Sequence, residues 1–416
     1  MRVHIVLILL ALAGGGTVAA RGGRNYYVDN HGDDGGDGSR AHPWKTLAAV
    51  GRVRLGPGDS VLLRGGQVFS GTLRLDNTVE GVRARPVWVG SYGKGSAMIR
   101  AGDSSGIVLY RAEWVLVRGL RLEGAGRKTG NVKEGCMLIE CAHVVVEDLD
   151  ISGFQKSGLM IYSSLWVDIR RVYAHENGSA GIAVEGVDKR SSRNLTIVDC
   201  RADDNPGDPT NLTNHSGNGI VAGHCTKLLI DRCSATNNGW DMPRIGNGPV
   251  GIWCYEADSV IIQHCRAYRN KTAAGAADGG GFDLDGGVTN SIIQRCLSYE
   301  NQGAGYCIFQ YWGASPWYHN IIRNNVSRDD GWVSDGRGGI YVWNSSGDSN
   351  QFYDCRVYKN AVYNRKEAAL SYSEKSARKG FFFYDNVFVG GDSLIRGDKG
   401  VDVFRGNQWR LSRHSK

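Results

Sequence analysis

Residues 261–270 read Ile-Ile-Gln-His-Cys-Arg-Ala-Tyr-Arg-Asn, and residues 292–301 read Ile-Ile-Gln-Arg-Cys-Leu-Ser-Tyr-Glu-Asn. Related segments end at Cys200 (Leu-Thr-Ile-Val-Asp-Cys), at Cys233 (Leu-Leu-Ile-Asp-Arg-Cys) and at Cys355 (Phe-Tyr-Asp-Cys), while Ile-Ile-Arg-Asn-Asn puts Asn325 in the same slot. Successive slots lie 33, 32, 31, 29 and 30 residues apart. Five residues past each slot stands a turn residue: Asn205, Asn238, Asn270, Asn301, Asp330 and Asn360. A weaker copy upstream has Val172 and Asn177. A glycine then opens an apolar-alternating strand at Gly181, Gly219, Gly251, Gly281, Gly305 and Gly339.

A period near 30 with two-residue alternation and no 3.6-residue stripe predicts a stacked coil of β-strands. Each period supplies one rung, paired in parallel with its neighbours about 4.8 Å away. No rung buries its apolar side alone, so stability comes from stacking many. The recurrent Asn suits a turn with a left-handed backbone. The slot cysteines stack inside the coil, either as free, buried small hydrophobes or with disulfides between adjacent rungs. No Cys-x-x-Cys pair suggests zinc.

Composition narrows the class. Glycine supplies 59 of 416 residues and proline only 8, which fits many short strands and turns rather than disorder. Residues 1–20 read as an export signal: Arg2 and His4, an apolar run from Ile5 to Ala13, then Val18-Ala19-Ala20. That run is too short to span a bilayer as a helix, and no later stretch is long enough. A secreted or periplasmic protein, not bound to membrane, is expected. The net charge of +7 has no Lys/Arg block that would suit nucleic acid, so acidic glycans are the expected partners.

Beyond the repeat, the N-terminal part runs through Tyr-Tyr-Val-Asp-Asn-His-Gly-Asp-Asp-Gly-Gly-Asp-Gly-Ser, Pro-Trp-Lys-Thr-Leu and Gly-Pro-Gly-Asp-Ser-Val-Leu-Leu-Arg-Gly-Gly. With these segments the chain resembles secreted right-handed parallel β-helix proteins of the pectate-lyase-like superfamily. The resemblance implies an all-β solenoid over 106–390, with an N-terminal cap and first rungs in 21–105 and a cap or tail in 391–416. It also implies a short amphipathic capping helix from Lys45 to Val53, because an open coil end is an unpaired sheet edge. It leaves the reaction open: the superfamily holds lyases, hydrolases, epimerases and non-catalytic members. The Asp-Pro-His-Asp string of mannuronan epimerase-like coils is absent, as are the signature strings of polygalacturonase-like hydrolases.

Aligning the strands that open each rung places a candidate site. Alternation puts Trp253 and Tyr255, Asp283 and Asp285, Cys307 and Phe309, and Tyr341 and Trp343 on the outer face of neighbouring rungs. Aromatic rings beside carboxylates suit sugar rings, which offer apolar faces and hydroxyls. Before those strands the turn-to-glycine spacing grows from 4 residues at Asn177 and Asn301 to 14 at Asn205, 13 at Asn238, 11 at Asn270 and 9 at Asp330. Stacked insertions beside a flat face make a cleft. They bring candidate catalytic residues Lys271, Arg244 and His215, and candidate substrate residue Arg337. Asp283 and Asp285 read as a calcium set with Asp278, as the acid and base of an inverting hydrolase, or as turn-supporting acids. The expected activity is β-elimination on a uronate-containing polysaccharide, with inverting glycoside hydrolysis and plain glycan binding as alternatives. A monomer is expected, with Ca²⁺ the one cofactor considered.

Overall fold

The computed structural model describes residues 22–332, 337–374 and 376–412; the export-signal segment lies outside them. Three parallel sheets of 14, 13 and 12 strands run the length of the molecule, and each turn of the chain contributes one strand to each. The core is the space between the sheets. The inward ladder of the 12-stranded sheet runs Leu159, Ile182, Ile220, Ile252, Phe282, Tyr306, Ile340 and Leu370, each paired with the next. Tyr306 is tolerated inside because its hydroxyl donates to the Cys296 and Val326 carbonyls, both at 2.9 Å.

The slot residues stack as the repeat predicts, with one correction. Cys200, Cys233, Cys265 and Cys296 form a buried column, and all ten cysteines are free. The column continues into asparagines: the Cys296 amide donates to Asn325 Oδ1, Asn325 to Asn360, Asn360 to Asn386 and Asn386 to Asn407. Cys355 is not in it. It pairs with Asn320 and Phe381 within the 14-stranded sheet, and Asn360 takes the slot. That strand, Tyr353–Tyr358, runs past Cys355, so the local Phe-Tyr-Asp-Cys likeness is five residues out of register.

The turn asparagines act differently from the expectation. The left-handed residue is the one before each: Glu176, Asp204, Asn237, Arg269, Glu300 and Asp329 all have φ near +54°. Asn177, Asn205, Asn238, Asn270, Asn301 and Asp330 instead form a buried ladder. Each amide NH₂ donates to a carbonyl of the preceding rung and to the side-chain oxygen of the following one, as Asn238 Nδ2 does to the Ala202 carbonyl and Asn270 Oδ1, both at 2.9 Å. Stacked amides satisfy backbone groups that the bend removes from the sheet ladders. Glycine follows because the corner has no room. A Cβ on Gly219 would lie 2.5 Å from that of Ala235 and 2.3 Å from the Gly251 carbonyl.

At the N-terminal end, a 3₁₀ helix, Leu47–Arg52, stands where an amphipathic helix was expected, with Leu47, Ala49 and Val50 buried in the core. At the other end the short strands Ile395–Arg396, Val403–Arg405 and Gln408–Leu411 add a final rung to the three sheets.

Candidate active site

The outward ladder of the 12-stranded sheet runs Met160, Ala183, Val221, Trp253, Asp283, Cys307 and Tyr341, in the register that alternation predicts. The long loops rise beside this face and roof a cavity of about 540 Å³, within the usual range for ligand pockets. Its carboxylates are Asp278 and Asp285, and its rings are Trp253, Tyr255, Phe309, Tyr311, Tyr341 and Trp343. His215, Asn214, Asn247 and Arg337 complete the polar lining.

Three aspartates meet here in different states. Asp283 is 2 % exposed, and its Oδ1 has no hydrogen-bond partner. Burial, with Asp285 and Asp278 nearby, pushes its carboxyl well above the ordinary range, which favours the neutral acid. It does not line the cavity, although alternation places it on the outer face between Trp253 and Cys307. Asp285 follows the strand Gly280–Leu284 and accepts from the Gly286 amide at 2.7 Å. Burial raises it to about 7 against that hydrogen bond, and the Asp278 charge adds to the rise.

Asp278 ends the wall loop in a left-handed conformation, φ +63°, which Asp tolerates better than most residues. Its Oδ2 accepts from the Gly248 amide at 2.8 Å, and Oδ1 lies 3.4 Å from Arg337. Burial raises its pKa, and the Arg337 charge and that amide oppose the rise without cancelling it.

A hydrogen-bond chain sets the state of His215. Trp253 Nε1–H donates to Asn218 Oδ1 at 3.0 Å, and the Val250 amide donates to the same oxygen. The Asn218 amide is therefore oriented with its NH₂ toward His215 Nδ1, 3.0 Å away. That nitrogen accepts, so Nε2 carries the proton. Burial, aided by the Arg244 charge, lowers the imidazole pKa to about 4, keeping the ring neutral. His215 is thus a hydrogen-bond donor to the cleft, not a free base.

The remaining predicted residues divide. Trp253, Tyr255, Phe309, Tyr341, Trp343 and Arg337 line the cavity. Arg244 does not; its guanidinium is bound to Asn247 within its own loop. Lys271 lines a different cavity with Arg269 and Trp332, since its loop turns the side chain away from the aspartates. Tyr311, Asn218, Asn214 and Asn247 were missed. Tyr311 was findable, standing two residues beyond Phe309 in the same alternation; the asparagines carry no sequence signal.

Ca²⁺ wants several oxygens converging on one point, whereas Asp283 does not line the cavity and Asp278 is engaged by Arg337. Among the described residues no three His, Cys, Asp or Glu side chains are arranged to hold a metal.

Fold and cleft together define a right-handed parallel β-helix with a loop-walled groove of aromatic rings and acids. The chain belongs to the family of Pel9A-like right-handed β-helix regions, whose model matches residues 26–330. A lacto-N-biosidase of Bifidobacterium longum subsp. longum is 23% identical over 486 residues, spanning 88% of this chain and 29% of that protein, so the chain covers under a third of that relative. The solved GH136 lacto-N-biosidase from Eubacterium ramulus superposes with a TM-score of 0.64 at 19% identity, over 94% of this chain and 68% of that one. A mannuronic acid specific polysaccharide family 6 lyase from human gut microbiota gives 0.59 at 13%, over 94% and 87%. At these identities the solved structures establish the fold alone.

Proposed function

We propose that the chain is an exported glycoside hydrolase acting on a neutral glycan, with Asp278 and Asp285 as its two catalytic carboxylates. The observation that carries this reading is the lining of the cavity. Two acids face one chamber of rings, and the only cation among its described lining residues, Arg337, is already paired with Asp278.

β-Elimination needs a base for the proton beside a uronate and positive charge for that carboxylate. Lys271 is elsewhere, His215 Nδ1 is occupied, and the Tyr255 hydroxyl is committed to Glu185 at 2.6 Å. Among the described lining residues no unpaired cation is left to hold a uronate carboxylate. Hydrolysis needs a protonated acid and an ionised carboxylate, the roles we assign to Asp285 and Asp278. Asp285, near pH 7 half protonated, donates to the glycosidic oxygen as the bond to the anomeric carbon breaks. Asp278 faces the positive charge that develops there, and either bonds that carbon or deprotonates the attacking water. The rings hold sugar faces, and His215 Nε2–H and the asparagines bind hydroxyls. The relatives named lacto-N-biosidases lend support. The Asp283/Asp285 pairing is set aside because Asp283 does not reach the cavity.

The test is a panel of neutral and acidic glycans, read for new reducing ends and for the ultraviolet absorbance of an unsaturated uronate. Reducing ends from a neutral glycan without that absorbance are expected, with loss of about 10³-fold or more in kcat for Asp278→Asn and Asp285→Asn. On an aryl glycoside with a good leaving group, Asp285→Asn should lose least, because protonation matters least there. An unsaturated product, or full activity in both variants, defeats the proposal; the leaving-group response appearing in Asp278→Asn instead would exchange the two roles.

A further inference from the structure

We propose that the cavity containing Lys271 is a second, non-catalytic site for an anionic glycan. It has a volume of about 450 Å³ and shares no lining residue with the cleft. It lies where the short strands leave for the wall loops. There Asn237, Arg269, Glu300 and Asp329 stand in successive left-handed turns, and Trp332, Lys271 and Lys366 line the same cavity.

Trp332 supplies the platform. It is 47% exposed, and its Nε1–H donates to the Glu300 carbonyl at 3.3 Å. That bond anchors one edge of the indole. Among the described residues no ring or guanidinium stacks on it. An exposed indole face with one pinned edge suits the C–H face of a pyranose.

Charge selects the ligand. The lining holds the cations Arg269, Lys271, Arg365 and Lys366 against the acids Glu300 and Asp329. Arg269 bonds Glu300 at 2.9 Å and Arg365 bonds Asp329 at 2.8 Å. This leaves Lys271 and Lys366 without an ion pair among the described residues. Two free ammonium groups beside a sugar platform fit a glycan bearing carboxylate, sulfate or phosphate. Four cations against two acids leave this lining with an excess of positive charge that attracts an anion. The site holds the protein on an acidic polymer while the cleft works on another chain, and it stands whether or not the hydrolase reading does.

The experiment is affinity electrophoresis of the whole protein through gels containing polygalacturonate, dextran sulfate or neutral dextran. Retardation by polygalacturonate or dextran sulfate, which separates carboxylate from sulfate as the preferred charge, and none by dextran are expected. Trp332→Ala and Lys366→Gln should each weaken it about fivefold or more, about 0.5 M salt should abolish it, and Trp332→Phe and Asp285→Asn should keep it. Melting curves exclude unfolding, and hydrolysis of a small soluble substrate should be unchanged in Trp332→Ala and Lys366→Gln. No retardation by either acidic polymer, equal retardation by dextran, or Trp332→Ala and Lys366→Gln running like the parent would overturn the proposal.

Discussion

The phenol of Tyr255 donates to Glu185 Oε1 at 2.6 Å across the strand that separates them. Tyr255 ends the strand Val250–Tyr255 and Glu185 ends Ala180–Glu185, while Asn218–Gly223 lies between. The crossing is possible because residue 223 has no side chain: a Cβ there would sit 2.4 Å from Tyr255 Cζ. A ring of the cleft is thus aimed by a half-buried acid two rungs away.

Gly223→Ala should swing Tyr255 off Glu185 without touching Asp278 or Asp285. We expect KM to rise about tenfold, with kcat changed less than about twofold, since positioning and not the acid pair is disturbed. Steady-state kinetics checks this; a fall in kcat alone would contradict it.

The pH dependence follows from the two carboxylates. Asp285 acts protonated, so activity should fall as pH rises through about 7. Asp278 acts ionised, so the acid limb should lie above the ordinary aspartate range, because burial raises it. His215 is neutral above about 4 and should add no limb near its ordinary value. A profile of kcat/KM against pH measures all three.

Asp283 makes a stability prediction. Its folded-state pKa is raised, so the folded chain keeps a proton that the unfolded chain releases above about pH 4. The stability this contributes is complete below that pH and drains away as pH rises toward the folded-state value. Asp283→Asn removes the titration. Its melting temperature should exceed that of the parent at about pH 8, and the gap should close toward about pH 4.

Asn270→Ala tests the turn ladder. The amide donates to the Ala235 carbonyl and Asn301 Oδ1, and its oxygen accepts from the Asn238 amide and side chain, at 2.9–3.2 Å. Truncation strands several buried groups and should cost about 2–4 kcal/mol in urea unfolding. A loss below about 1 kcal/mol would show that the ladder is incidental.

The ten free thiols should not react with a thiol reagent in the folded protein and should all react after denaturation. Burial lifts Cys136 to about 12 and Cys141 to about 11, leaving almost no thiolate at neutral pH.

Much of this architecture is legible in residues 172–343. A thirty-residue period states that the chain stacks, and alternation states which side chains look inward. Ile252 and Phe282 are core and Trp253 and Asp283 are outward in the structure, as the pattern requires. Unequal spacing before the strand glycines marks where the wall rises. These are local signals, because a strand's two faces are set by its own geometry.

What the sequence alone did not determine is which outward acid meets a ligand. Asp283 and Asp285 look equivalent by alternation, yet one is buried outside the cavity lining and the other opens to the cavity. Asp278 joins them only through a left-handed turn at the end of a loop without periodicity, and Lys271, in the same loop, faces another cavity. Exposure and ionisation depend on rungs some thirty residues away and on the path of each loop. Solvent is excluded by atoms distant in the chain, so only the assembled coil decides which carboxylate is charged, which is neutral and which can touch a sugar.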